Sequence, residues 1–392
     1  MITPMIAVSP RLRSTPFTKR VMADGVKAFT VYNRTLLATE FESLQADYWH
    51  LCRAVQVWDV GAERQVDITG PDATSLVQWM TPRPVAGIAL NQCAYLPLAD
   101  ERGKLMNDPV AIRLAEDHWW LSVADSDVVL WAKGLARGAG LDVHVHEPNV
   151  WPLAVQGPKA EPLMARVLGE EVRSIRFFRY ARIPYRGAEI VVSRSGWSKQ
   201  GGFEIFVDDI ERGLNLYDDL FASGKDLDVR PGCPNLIERM EASLMSFGND
   251  MTSDHSVLEA GLESFVDLEQ ELPSLSHESL RAERERGPQR RLCGLMLDAP
   301  EGPRPYADQL LTDQLPHRLG SQVYSPRYAQ QLATAMIEEP ILSQVLAQGY
   351  CTVRLEDGQT ASARISRLPF DFSGMPSYPP VSSPPELSER VF

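Results

Sequence analysis

At 392 residues the chain is too long for one small core, so two or three domains are expected. Its 44% hydrophobic and 23% charged residues are those of an ordinary water-soluble globular protein, and a net charge of −13 excludes the basic footprint that a nucleic-acid surface needs. Five dispersed cysteines (Cys52, Cys93, Cys233, Cys293, Cys351) form no CxxC pair, which speaks for reduced thiols and against a disulfide framework or a zinc site. No apolar run approaches a membrane span, and the first residues lack a signal-type apolar region. The expectation is a cytoplasmic protein with no metal, no membrane contact and no nucleic-acid partner; a homo-oligomer stays open.

In chain order, Lys27-Ala28-Phe29-Thr30-Val31-Tyr32 reads as a strand leading into Asn33-Arg34. Residues 40–54 place Phe41, Leu44, Tyr48, Leu51 and Cys52 on one helical stripe. Residues 64–69 alternate as a strand, and Gly70-Pro71-Asp72 then opens a helix. Val155-Gln156-Gly157-Pro158-Lys159 repeats that step, which implies a pseudo-duplicated α+β body. Between the two copies, residues 94–98 and 118–123 read as strands, and 128–136 as a helix capped by Asp125 or Ser126. His144 and His146 share one strand face without a third ligand nearby, and are read as strand residues. Residues 236–251 read as a helix with Met240, Leu244 and Phe247 on one face and Gly248 as its stop. The charge-rich stretch 274–291 reads as a connector to a strand-rich C-terminal part, and the residues from 373 on as a Pro/Ser-rich tail.

The sharpest signal is Arg194-Ser195-Gly196-Trp197-Ser198-Lys199-Gln200-Gly201-Gly202-Phe203-Glu204. Two short β-favouring runs flank a polar glycine loop with one Trp at its tip, and Glu204 stands among Phe203, Ile205 and Phe206. An acid on such a strand must face solvent or find donors, because burying it alone is costly. The run resembles the folate-binding signature of the glycine-cleavage aminomethyltransferase family, in which the final Glu grips the pterin. A pterin presents a 2-amino group and a ring N–H side by side, two donors that one carboxylate accepts together. The Trp197-Ser198-Lys199-Gln200 form is similar to one branch, the tetrahydrofolate-dependent dimethylsulfoniopropionate demethylases. Trp58-Asp59-Val60-Gly61-Ala62-Glu63-Arg64-Gln65-Val66 agrees, where aminomethyltransferases carry Asp-Val-Ser-His-Met.

The resemblance runs from about Tyr32 to about Phe370. It implies a folate-binding aminomethyltransferase-type body over 1–285, a C-terminal β-barrel over 286–372 and a tail over 373–392. It places the catalytic acid at Asp108, within Gly103-Lys104-Leu105-Met106-Asn107-Asp108-Pro109. It also puts Glu204, Tyr95, Trp197 and Arg239 around the folate. A sulfonium is best cradled by aromatic faces, and Tyr32 and Phe178 are the substrate-side candidates, with Arg34 or Arg64 for its carboxylate. The implied partners are tetrahydrofolate as methyl acceptor and a small-molecule methyl donor. The alternatives are a betaine or methoxy-aromatic demethylase, a glycine-cleavage aminomethyltransferase, and a non-catalytic folate-binding protein.

Overall fold

The computed structural model describes residues 9–297, 305–310, 318–355 and 358–375. Its first stretch holds α1 (Thr18–Ala23), β1 (Ala28–Tyr32), β2 (Thr35–Glu40), α2 (Leu44–Leu51) and β3 (Val55–Asp59). Next come β4 (Arg64–Thr69), α3 (Ala73–Met80), β5 (Cys93–Tyr95), β6 (Leu98–Ala99) and β7 (Leu105–Asn107). They are followed by β8 (Val110–Ala115), β9 (His118–Val123), α4 (Val128–Ala139) and β10 (His144–His146). The third stretch holds β11 (Trp151–Gln156), α5 (Ala160–Leu168), β12 (Tyr180–Tyr185), β13 (Ala188–Ser193), β14 (Gly202–Val207), α6 (Ile210–Ser223) and β15 (Val229–Gly232). The last holds α7 (Leu236–Glu241), α8 (His277–Arg286), β16 (Arg290–Leu297), β17 (Pro305–Leu310), β18 (Arg318–Ser325), β19 (Gln330–Glu338), α9 (Ile341–Gln348), β20 (Tyr350–Leu355) and β21 (Thr360–Arg367).

The chain divides into two compact units. The first takes the chain up to Gln65, then Glu147–Gly196 and Gln200–Asn235; the second takes Val66–His146, Trp197–Lys199 and the chain from Leu236 on. In the first unit one sheet runs β12-β13-β14-β11-β3-β15, antiparallel except where β15 joins β3. Phe203, Ile205 and Val207 of β14 enter the core with Leu163 and Met164 of α5 and Leu216 and Leu220 of α6. Side chains alternate along a strand, so Glu204 stands on the face away from these helices.

In the second unit a five-stranded sheet runs β10-β4-β9-β8-β5, and Leu76, Met80, Trp119, Leu121 and Ala132 fill the space under α3 and α4. The two sheets repeat one plan. The order β4-β9-β8-β5 answers β11-β14-β13-β12, and α3 and α4 answer α5 and α6. Gly70 (φ 125°) and Gly157 (φ 122°) turn each first strand into its helix, and a Cβ at either would strike the carbonyl oxygen of Asp142 or of Ala54. The pseudo-duplicated α+β body is therefore present, with its Gly-Pro step at both ends of the repeat.

Beyond it, still in the second unit, β17-β20-β21-β16-β19-β18 form an antiparallel sheet with Leu342 and Val345 of α9 against Cys293, Leu295 and Ile337. A closed barrel was expected here. Closure needs pairing between the first and last strands, and among the described residues the hydrogen-bonded series ends at β17 and β18. Two further expectations change. The helix expected over 236–251 stops at Glu241, because Ser243 adopts φ 55° and Leu244 N turns back to Arg239 O at 2.8 Å. The connector over 274–291 is largely the helix α8, held down by buried His277, Leu280 and Glu283. Of the tail, residues 376–392 lie outside the described residues.

Candidate active site

In the first unit Glu204 is half-buried on β14, opposite Ser193 on one side and Ala154 on the other. The Ser195 hydroxyl donates a short hydrogen bond to Glu204 Oε2, and Ser193 Oγ lies 2.5 Å from Ser195 Oγ. Burial pushes the Glu204 carboxyl above its ordinary range, and the Ser195 bond pulls it down only in part. Beneath the loop lies Gln156, whose Nε2 donates to Ser195 O at 3.1 Å and Phe203 O at 3.3 Å. A Cβ on Gly196 (φ 142°) or Gly202 (φ 158°) would run into this amide, so the two glycines let the backbone close over Gln156. Phe178 (φ 55°) sits in the turn before β12, its ring tilted against that of Phe177 with centroids 4.9 Å apart, and its N–H donates to Arg194 O at 3.0 Å. Phe178 is thereby tied to the start of the glycine loop.

Tyr32 ends β1 at a hairpin whose turn residues Asn33 (φ 48°) and Arg34 (φ 58°) are both left-handed, the signature of a two-residue primed turn. Arg34 is exposed there. Arg64 is buried instead. Its guanidinium donates to Val150 O (2.9 Å), Pro148 O (3.0 Å) and Glu147 Oε1 (3.2 Å), and it stacks over Trp151 at 4.1 Å. It holds the entry to β11.

In the second unit Asp108 follows β7, and the Tyr95 hydroxyl donates to its Oδ2 at 2.9 Å. Burial raises the Asp108 carboxyl to about 7, with the Asp250 charge adding to the rise and the Tyr95 bond opposing it. Burial and the same carboxylate push the Tyr95 phenol far above its ordinary value. The Tyr95 ring packs at 4.7 Å on Phe265, and Arg83 both donates to Tyr95 O at 2.7 Å and lies over Phe265. Asn107 is fully buried and exchanges bonds with the backbone of Ala124 and the Ser126 hydroxyl; it fixes the turn that presents Asp108.

Arg239 and Trp197 also meet in this unit, the guanidinium 5.5 Å from the indole centre. Asp250 takes Arg239 Nη1 at 2.7 Å, Ser246 N at 2.9 Å, Ser321 N at 3.0 Å and the Thr334 hydroxyl at 2.7 Å. With that many donors, and Arg239 as the strongest opposing charge, its carboxyl stays below the usual range in spite of burial. Lys199 N donates to Glu238 Oε1 at 2.7 Å, so the loop tip 197–199 is gripped on both sides of Ser198 by α7 residues.

Sequence reasoning missed Gln156, Ser195, Asp250 and Phe265 as members of these clusters. Gln156 lies inside the Gly-Pro step and Asp250 near the end of the stretch 236–251 read as a helix, and neither residue's type marks it as a site residue there. His144 and His146 lie side by side on the sheet-edge strand β10, their rings tilted with centroids 4.8 Å apart, while Asp67 accepts from Trp120 Nε1 at 2.8 Å and lies 3.1 Å from His118 Nε2.

Comparison with known proteins points one way. The family model described as the GCVT N-terminal domain matches residues 17–270. The dimethylsulfoniopropionate demethylase DmdA of Ruegeria pomeroyi is 49% identical over 331 residues, covering 84% of this chain and 90% of its own length. An aminomethyltransferase of Alkaliphilus oremlandii is 26% identical over 310 residues, 77% of this chain and 83% of its own. Among solved structures, the glycine cleavage system aminomethyltransferase T from Bartonella henselae superposes with a TM-score of 0.79 at 21% identity, covering 92% of this chain and 98% of that one. That last likeness concerns the fold.

Proposed function

Since the chain belongs to the family of the GCVT N-terminal domain, we propose that it is a tetrahydrofolate-dependent demethylase acting on dimethylsulfoniopropionate. The methyl group moves to N5 of tetrahydrofolate and methylthiopropionate leaves. The observation that carries this reading is the 49% identity to a dimethylsulfoniopropionate demethylase across most of both chains, against 26% to an aminomethyltransferase.

The site residues suit the folate. Glu204 Oε2 has one hydroxyl donor, no partner is recorded for Oε1 among the described residues, and burial leaves the carboxylate in want of donors. The paired N–H groups of a pterin supply them, and their bonds would draw the carboxyl back toward its ionised form. Tetrahydrofolate supplies the nucleophilic N5 that accepts the methyl group.

The rest falls to this chain's side chains. The sulfonium is already activated: its S–CH3 bond breaks with the electron pair staying on sulfur, so no acid is needed for the leaving group. Only the proton of the methylated nitrogen has to go. Asp108, with its carboxyl near 7, is matched to accept it at neutral pH. A carboxyl so near neutrality is a poor permanent counter-ion for the cationic donor, which favours the proton-accepting role. Tyr95 orients Asp108, and Arg239, anchored by Asp250, sets the plane of Trp197. Positioning does most of the remaining work, since a methyl transfer needs nitrogen, carbon and sulfur in line. In this reading Tyr32 and Phe178 serve the donor side and the enzyme acts in the cytoplasm. A panel of methyl donors with tetrahydrofolate, scored by 5-methyltetrahydrofolate, tests it.

A further inference from the structure

In the first unit the Glu204 carboxylate stands at the end of a short line of hydroxyls. Ser193 on β13 is the cross-strand partner of Glu204 on β14, so the two side chains stand next to each other on one face of the sheet. Ser195 lies two residues further on and returns to that face, where its hydroxyl donates to Glu204 Oε2. Both serines are buried, and their oxygens are 2.5 Å apart. A serine carries one hydroxyl proton. With that of Ser195 given to the carboxylate, the bond between the serines takes the proton of Ser193. The two hydroxyls therefore point along one line toward Glu204.

The backbone around Ser195 is pinned on both sides. Gln156 Nε2 donates to Ser195 O at 3.1 Å, and Arg194 just before it is tied to Arg179 O at 2.9 Å and to Phe178 N at 3.0 Å. Gly196 just after it takes φ 142°, with the Gln156 amide where a Cβ would stand. What this line does to Glu204 bears on the ligand. A neutral carboxyl turns an O–H toward one of the two N–H donors of a pterin, whereas a carboxylate accepts both. Burial favours the neutral form of Glu204, and the Ser195 bond opposes it. The same bond takes one site on Oε2 and restrains rotation of the carboxylate, which leaves Oε1 and the second Oε2 site to a ligand.

We propose that Ser195, backed by Ser193, is a positioning residue for folate: it holds the Glu204 carboxylate in the orientation that accepts the 2-amino and ring N–H groups of the pterin together. The inference rests on the folate reading above and adds to it the residues that make Glu204 selective. Ser195 acts through Glu204 and on binding, since it lies outside the groups assigned to the methyl transfer.

The experiment titrates the full chain and its Ser195→Ala, Ser195→Thr and Ser193→Ala variants with tetrahydrofolate and with its 2-desamino analogue, which lacks the pterin amino group. The parent should bind tetrahydrofolate about tenfold more tightly than the analogue. Ser195→Ala should lose most of that preference by weakening tetrahydrofolate more than the analogue. Ser195→Thr, which keeps the hydroxyl, should retain the preference, and Ser193→Ala should lose part of it. A loop that is merely displaced weakens both ligands alike. An equal loss, or none, in Ser195→Ala therefore overturns the positioning role while the folate reading stands, and so does a parent that binds both ligands equally. If Ser195→Ala does not fold, Ser193→Ala decides in its place, and a preference equal to the parent's overturns the role of the hydroxyl line. A parent that binds neither ligand overturns the folate reading, and this inference with it.

Discussion

Asp108→Asn separates what the carboxyl does for catalysis from what it costs the fold. Asn keeps the shape and still accepts the Tyr95 hydroxyl bond, which is 2.9 Å long in the parent. It cannot ionise. Burial raises the Asp108 carboxyl from 3.8 to about 7, so the folded state favours the neutral form. The sign follows from linkage. Stability from this group is intact below the unfolded value, declines as pH rises from about 4 toward 7, and is gone above it. At ~1.4 kcal/mol per pH unit the gap amounts to at most about 4 kcal/mol at high pH. The variant should therefore be more stable than the parent, with a gain at pH 8 that exceeds the gain at pH 5 by roughly 2–3 kcal/mol. Urea unfolding at the two pH values reads this directly. Methyl transfer should move the opposite way: parent turnover rises through about pH 7 as Asp108 ionises, and the variant is slow and flat with pH. A variant that matches the parent in both the stability difference and the pH profile would refute the reasoning.

Glu204→Gln should weaken tetrahydrofolate binding by roughly 1.5–3 kcal/mol with an unchanged circular dichroism spectrum, since it loses the charge in a paired contact; equal affinities in titration remove the pterin role. Gly202→Ala sets a Cβ against the Gln156 amide and Val155 O at φ 158°, so folate affinity should fall with the loop displaced, whereas Gly201→Ala meets no neighbouring atom and carries only the backbone strain of φ 79°. Arg239→Leu leaves Asp250 ionised and buried without its cation, at a cost of about 3 kcal/mol in denaturant unfolding. Acidification should shrink that cost as Asp250 protonates, and a cost that stays constant with pH argues against the ion pair as its source.

What the sequence made legible was local. The alternation Phe203-Glu204-Ile205 put one carboxylate on the face away from the helices, and the two Gly-Pro steps exposed the repeat because each needs a backbone that only glycine adopts without collision. What stayed hidden depends on partners far away in sequence. Asp250 gains its role from Arg239, Ser321 and Thr334, and Phe265 gains its role from Tyr95, pairings that no periodicity encodes. The helix expected over 236–251 failed for the same reason: its apolar spacing was sound, but Asp250 draws Ser246 N into a turn, and Ser243 breaks the helix to allow it. Arg64, a candidate for the donor's carboxylate, is spent on carbonyls at 148 and 150. The sheet at the C-terminal end was foreseen as strand-rich from its β-favouring runs, whereas closure is a property of pairing that residue type does not report.

The central claim is that a sulfonium methyl is passed to folate. Its most direct test incubates the purified protein with tetrahydrofolate and dimethylsulfoniopropionate carrying a labelled S-methyl group, and follows the label. The account predicts equal amounts of labelled 5-methyltetrahydrofolate and methylthiopropionate, and no turnover of a betaine, whose amine is a far poorer leaving group. Dimethylsulfoniopropionate left intact, with a betaine or a methoxy-aromatic demethylated instead, would contradict it.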